Sequence, residues 1–270
     1  MKLTYLGTAA AEGFPALFCN CQYCAIARRL GGKNVRTRSQ SLVNDDLLID
    51  FPADTYHHFL QNGIEGDRIR YLILTHAHSD HLYPKDLSMR HGAFAHDMRV
   101  PTLTVVGSEK TLSVIGAAPR HTETVTVKAF ETLELGAYRV TALPARHMPG
   151  GDALFYVISD GEKTLLYAHD TGYFYEEVFS FLAERKLRFD MISFDCTNVD
   201  LPISDEGSHM GFPNIGRVLD RLKAIGAADG ETTVFVNHFS HNANPLHSVL
   251  CARAEEYGYG VSYDGCTVEF

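Results

Sequence analysis

No stretch of this sequence approaches the about 18 consecutive apolar residues that a membrane-spanning helix needs, so no such helix and no membrane partner are expected. Basic residues are scarce: 24 Lys and Arg stand against 33 Asp and Glu, a net charge of −9. Affinity for phosphate backbones comes mostly from Lys and Arg, so extended nucleic-acid binding is not expected. A small anionic substrate stays possible if metal ions sit in the site. Tryptophan is absent and cysteine is sparse, with six residues. Cys196, Cys251 and Cys266 are scattered, which is not the dense spacing of an extracellular disulfide framework. The N-terminal Met1–Thr8 is too short and polar for the apolar core of a secretory signal. These absences together read as a cytoplasmic chain. No low-complexity segment, Pro/Ser-rich linker or short repeat divides it, and 45% hydrophobic with 21% charged residues is an ordinary globular balance. A chain of 270 residues can bury most of its unfolded surface without staples, and residues 1–270 are read as one domain.

What is present is a succession of short β-like runs, at 3–6, 41–44, 47–50, 70–74, 101–106, 125–130, 138–143, 153–158, 164–168, 191–194 and 233–236. Helical patterns lie between them, at 53–61, 84–94, 109–115, 175–186, 212–225 and 245–257. In the 212–225 segment, Ile215, Val218, Leu219, Leu222 and Ile225 form one stripe, which is core packing and carries no chemistry. Hairpin-like strand pairs mixed with helices predict an α/β fold, two mixed sheets packed face to face with helices outside.

Histidine is the residue in excess, fourteen in all. The densest group is Tyr71-Leu-Ile-Leu-Thr-His76-Ala-His78-Ser-Asp80-His81. An apolar strand there delivers four potential ligands in six positions. Imidazole and carboxylate together suit Zn, Mn or Fe, and one loop cannot wrap one ion with all four, so two adjacent ions are the natural reading. His-x-His-x-Asp-His after a strand resembles the hallmark of the metallo-β-lactamase fold, an αββα four-layer sandwich. The resemblance implies further ligands, each at the end of a later strand. His147 in Ala142-Leu-Pro-Ala-Arg-His147, Asp170 in Leu165-Leu-Tyr-Ala-His-Asp170 and His238 in Thr233-Val-Phe-Val-Asn-His238 fit those places. It implies one ion on His76, His78 and His147, a second on Asp80, His81 and His238, and Asp170 between them. Asp50 is similar to the family's carboxylate that orients a ligand histidine. The chain departs from the family pattern in having Phe51-Pro52 where small residues are usual, and His169 where glycine is common; His169 stays unassigned.

Cys19-Asn-Cys21-Gln-Tyr-Cys24 puts three thiols within one turn, and a tetrahedral zinc site needs one more ligand. His241, three residues after His238, is the natural partner, although His238 and His241 could exchange roles. The rival is a redox-active or merely buried cysteine trio. The pairing resembles a subgroup of the fold that includes the cyclic phosphate phosphodiesterases of the carbon–phosphorus lyase pathway. That resemblance implies two divalent ions (Zn, Mn or Fe), one structural Zn and cleavage of a small phosphodiester by a hydroxide held between the ions. For the proton that the leaving oxygen requires, His209 in Asp205-Glu-Gly-Ser-His209 is the candidate, with Asp80 as a second group able to align or accept a proton. Arg36 and Arg38 could reach a substrate phosphate but are read as solvated surface, and His57, His58, His91, His96, His121 and His247 as structural or surface. The other readings are a transfer-RNA 3′-processing nuclease of the same fold and a metal-bearing carrier resembling the pyrroloquinoline quinone biosynthesis protein. A homodimer is left open.

Overall fold

The computed structural model describes residues 1–148, 150 and 152–270. Its strands are β1 (Lys2–Gly7), β2 (Gln40–Val43), β3 (Leu47–Ile49), β4 (Tyr71–Ile73), β5 (Leu103–Gly107), β6 (Thr122–Thr126), β7 (Thr132–Leu135), β8 (Tyr138–Pro144), β9 (Leu154–Ser159), β10 (Thr164–Ala168), β11 (Met191–Asp195), β12 (Thr233–Asn237), β13 (Gly260–Val261) and β14 (Cys266–Glu269). The α-helices are α1 (Gln22–Leu30), α2 (Thr55–Asn62), α3 (Glu109–Ser113), α4 (Glu176–Glu184), α5 (Phe212–Ala224) and α6 (His247–Glu255). Two seven-stranded sheets result, in the orders β14-β1-β2-β3-β4-β5-β6 and β13-β12-β11-β10-β9-β8-β7. Each is mixed: β3 to β6 and β10 to β13 are parallel, the other neighbours antiparallel.

Alternation along the strands explains the four layers. In β9, Leu154, Tyr156 and Ile158 join the core between the sheets, while Phe155 and Val157 join the core beneath the outer helices. A strand buried on both faces reads as a continuous apolar run, which is why its sequence is so plain. On the outer face of the second sheet, Phe212, Ile215, Val218, Leu219 and Leu222 of α5 pack with Val178 and Leu182 of α4. Leu48, Leu72 and Val105 cover the outer face of the first sheet. Each such side chain contributes about 1.5–3 kcal/mol on full burial.

Because β3, β4, β10, β11 and β12 run parallel within their sheets, and β8 runs parallel to β10 across β9, their C-terminal ends meet at one rim. The sheets are pinned there: Leu154 N–H donates to Thr75 O at 2.8 Å and the Tyr156 hydroxyl to Leu74 O at 2.6 Å.

Two expectations are corrected, and four elements are new. The 84–94 helix is a 3-10 turn over Pro84–Met89. The strand expected at 125–130 lies at Thr122–Thr126, a polar edge strand whose side chains are mostly exposed and so needs no apolar run. Helix α1 and strands β7, β13 and β14 went unforeseen, the strands being short and at or near sheet edges.

Candidate metal centre

The loop after β4 turns sharply. His81 N–H and Leu82 N–H both donate to His78 O, at 3.0 and 2.8 Å. His76 Nε2, His78 Nδ1 and His147 Nε2 then converge, with separations of 2.9 Å (His76–His78) and 3.1 Å (His78–His147). Nitrogens sharing one tetrahedral ion at about 2.0–2.1 Å stand about 3.3 Å apart, so this spacing fits one ion. The outer nitrogens are engaged elsewhere. His76 Nδ1 lies 3.0 Å from the Thr75 hydroxyl, and His147 Nδ1 lies 3.3 Å from Ser208 O. Those contacts leave the inward nitrogen of each ring as the one with a free lone pair.

A second group surrounds Asp170. Asp170 Oδ2 lies 2.6 Å from His81 Nε2 and 3.3 Å from His76 Nε2, and Asp170 Oδ1 lies 2.9 Å from His238 Nε2. Asp80 Oδ2 stands 3.3 Å from His81 Nε2. Although close, His81 Nε2, His238 Nε2 and Asp170 Oδ1 are buried without a hydrogen-bond partner. Buried polar atoms in that state cost free energy unless something else satisfies them. Three orphaned lone pairs facing one another are what a divalent ion completes. Asp80, His81, Asp170 and His238 all offer ligand atoms within 4.8 Å of one another. The electrostatics agree: burial presses the His81 imidazole down, yet the charges of Asp170, Asp50 and Asp80 outweigh it and hold its pKa well above the usual value. The pocket calls for positive charge. At His76, burial wins and the ring is held well below its usual pKa, in the neutral form that binds metal.

Asp50 orients this group as the sequence suggested. Its Oδ1 accepts from Thr75 N–H at 2.8 Å, and its Oδ2 lies 2.7 Å from His81 Nδ1. Phe51, the unusual residue beside it, takes part in holding His81: its N–H donates to His81 O at 2.7 Å.

His209 sits over both groups. Its ring stacks on His238 at 5.5 Å and meets His147 edge-on at 4.8 Å. His209 Nδ1 lies 2.8 Å from Asp195 Oδ2 and 3.6 Å from Asp170 Oδ1. Asp195 is held in turn by Thr197 N–H, which donates to its Oδ1 at 3.0 Å. Burial lowers the His209 pKa, but the adjacent charge of Asp195, its hydrogen bond and then Asp170 carry it up to about 9. The loop bearing His209 rests on the turn after Asp170: a Cβ on Gly172 would stand 1.8 Å from Gly207 O, so only glycine lets the two segments meet.

The cysteines gather apart from these groups. Cys19, Cys21, Cys24 and His241 offer ligand atoms within 4.8 Å of one another, with His241 Nδ1 3.6 Å from Cys24 Sγ and 3.9 Å from Cys21 Sγ. The Cys24 amide lowers the Cys21 thiol pKa, and burial raises that of Cys24. His238 thus lies with Asp170 and His241 with the cysteines, not the reverse.

Arg36 corrects the sequence reading. It is buried rather than solvated, donating to the Thr8 hydroxyl and to Ser262 O, both at 2.8 Å. Arg38 pairs with Asp54 at 3.1 Å. Neither reaches the histidine groups by any hydrogen bond or ion pair among the described residues. His58 is buried and structural, bonded to Gln40 and Thr37. Sequence reasoning missed Asp195 and Thr197. Thr197 Oγ1 lies 2.8 Å from His238 Nδ1, and no local motif marks either residue.

The two His/Asp groups and the Cys/His group fit divalent ions such as Zn in donor type and spacing. The fold has solved relatives across its whole length. Zn(2+)-bound PqqB from Methylobacterium extorquens superposes with a TM-score of 0.74 at 21% identity, covering 100% of both chains. A diphosphatase of the PhnP family gives 0.70 at 21% identity, covering 100% of this chain and 97% of the other. The short form of human tRNase Z gives 0.65 at 13%, covering 100% and 99%. Among curated proteins none matches the sequence. The profile of the Beta-lactamase superfamily domain matches residues 48–238, which hold every member of the two His/Asp groups, and the chain belongs to that superfamily with the metallo-β-lactamase fold.

Proposed function

We propose that the chain is a dinuclear metal-dependent hydrolase that cleaves a small phosphodiester, cyclic esters included. The observation that carries this reading is His209, anchored by Asp195 and held 3.6 Å from Asp170, the carboxylate shared between the two histidine groups. In this reading His76, His78 and His147 would hold one ion and Asp80, His81 and His238 the other, with Asp170 available to both. Two bound divalent ions supply Lewis acidity for the phosphoryl oxygens and a nucleophile derived from water. The chain's own groups do the rest. Asp50, Thr75, Thr197 and Ser208 fix the direction of the ligand rings. Asp80 would align the nucleophile or accept its proton. His209, whose Nδ1 faces Asp195, gives its other ring proton to the departing alkoxide. Cys19, Cys21, Cys24 and His241 would hold a structural Zn, tying the N-terminal loop to the segment just past His238.

The diphosphatase and the tRNase among the structural relatives point toward phosphate chemistry. The net charge of −9 weighs against a long RNA substrate. A metal-reconstituted screen over phosphodiesters, thioesters and lactams tests the assignment. Turnover of bis-p-nitrophenyl phosphate and of an alkyl phosphodiester is expected. Turnover confined to thioesters or lactams would overturn the substrate class.

A further inference from the structure

Asp170 and His238 follow β10 and β12, and those strands are not neighbours, because β11 lies between them. Each is laddered to β11 but not to the other, and past the last ladder pairs Asp170 Oδ1 and His238 Nε2 approach to 2.9 Å. Both residues also adopt left-handed backbone conformations, with φ of 50° and 62°. Non-glycine residues hold such angles at a cost of about 1–3 kcal/mol each, and only where the surroundings fix them.

The residues just before them are joined. Asn237 Nδ2 donates to His169 Nδ1 at 3.2 Å. The Ser262 hydroxyl donates to Asn237 Oδ1 at 2.5 Å, which fixes which end of the amide faces His169. His169 Nε2–H then donates to Ser193 Oγ at 2.7 Å, and Ser193 pairs with the Tyr5 hydroxyl at 2.7 Å. His169 also lies against the Tyr167 ring, 3.8 Å between centroids. All five polar residues in this chain are fully buried. The line runs from Ser262 across the ends of β12, β10 and β11 to β1 of the opposite sheet. An apolar filling would avoid the desolvation of so many groups, so the network needs a compensating gain.

We propose that the His169–Asn237 hydrogen bond is a clasp that spans β11 and sets the separation of Asp170 and His238, making both residues positioning residues of the metal centre. The proposal rests on the dinuclear reading above. Neither residue touches an ion or substrate; each acts through its neighbour in the chain. Groups hydrogen-bonded directly to a ligand are typically worth about 10- to 100-fold in metal affinity, and the clasp acts one peptide bond further out.

The test compares wild type with His169→Leu, Asn237→Leu, the milder Ser262→Ala and the conservative His169→Gln, whose amide can accept from Asn237 and donate to Ser193. Zn(2+) affinity is read by chelator competition, and melting of the metal-free proteins is read alongside. The Leu variants should bind Zn at the His/Asp centre more weakly, by up to about 100-fold, Ser262→Ala should fall between, and His169→Gln should recover most of the loss. The ion of the Cys site should stay. Affinities in all variants equal to wild type, with only the metal-free melting lowered, would make the network structural and overturn the clasp. A His169→Gln variant no tighter than His169→Leu would overturn the hydrogen bond as its cause. If the Leu variants do not fold, Ser262→Ala and His169→Gln still carry the comparison. A wild-type protein that binds no Zn at the His/Asp centre would overturn the dinuclear reading itself, an outcome distinct from equal binding by wild type and variants.

Discussion

His209 and Asp170 lie 3.6 Å apart, yet substitution at each should have a different signature. His209 is proposed as a proton donor, so His209→Ala should retain its metal and lose about 10²- to 10⁴-fold in kcat on an alkyl phosphodiester. The loss should shrink on an aryl ester, whose phenolate leaves without a proton. Asp195→Asn removes the charge that outweighs burial at the imidazole, so its loss should follow the same substrate pattern. Asp170→Ala removes the shared carboxylate, and metal content and activity should fall together on every substrate. Equal losses on alkyl and aryl esters in His209→Ala would remove it from the donor role. Loss of metal in that variant would make it a ligand, for which Asp170, Asp195, His209 and His238 are close enough. His76, His147, Asp170 and His238 follow apolar strands, which are visible in sequence, but it was the resemblance to the family that singled out the later three as candidate ligands. Asp195 also ends a strand, but its partner lies 14 residues on across a loop, and nothing local announces the pairing. Arg36 was misread because burial of a guanidinium depends on Thr8, Ser262 and His247, which only folding brings to it.

At the scale of elements, strands of the sheet interiors were readable and those at the rims were not. The 164–168 run coincides with β10, and 191–194 and 233–236 each fall one residue short of β11 and β12. These strands are covered on both sides, so their apolar runs are unbroken. β6 and β14 are edges, β6 mostly polar and exposed and β14 alternating inward Cys266 and Val268 with exposed Thr267 and Glu269, and both are too short for their own pattern to announce them. The Cys loop was legible as chemistry but not as structure, since α1 begins inside it at Gln22. Its small core of Ala9, Phe14, Ala16, Cys24 and Ala27 is thin, so under the proposed structural Zn much of the local stability would come from the ion. Cys21→Ser should therefore cost about 2 kcal/mol and lower the melting temperature by roughly 4–8 °C. Two ions should remain at the His/Asp centre, which stands on strand ends elsewhere. An unchanged melting curve would show that the cluster is not a structural site.

Over the whole molecule, the two His/Asp groups draw ligands from both sheets, and the Cys site joins the N-terminal loop to His241. His76, His78, Asp80 and His81 follow β4 of one sheet, while His147, Asp170 and His238 follow strands of the other. Ions bound there would fasten the sheets at the rim where Leu154 and Thr75 already meet. Elemental analysis of protein purified without chelator should count about three ions per chain, two at the centre and one at the Cys site. Stripping them leaves Asp50, Asp80 and Asp170 buried together, with only histidine protonation to offset their charge. An ion present at about 1,000 times its dissociation constant stabilises the fold by about 4 kcal/mol, and each kcal/mol moves the melting temperature of a chain this size by about 2–4 °C. Removing the metals should therefore lower the melting temperature by at least roughly 8–16 °C, and adding back Zn(2+) should restore it. In Cys21→Ser the chelator-induced drop should be smaller, because one of the three contributions is already gone. A melting temperature that stays fixed while elemental analysis shows the ions removed would mean that the sheets hold the rim without them, and the metals would then serve chemistry alone.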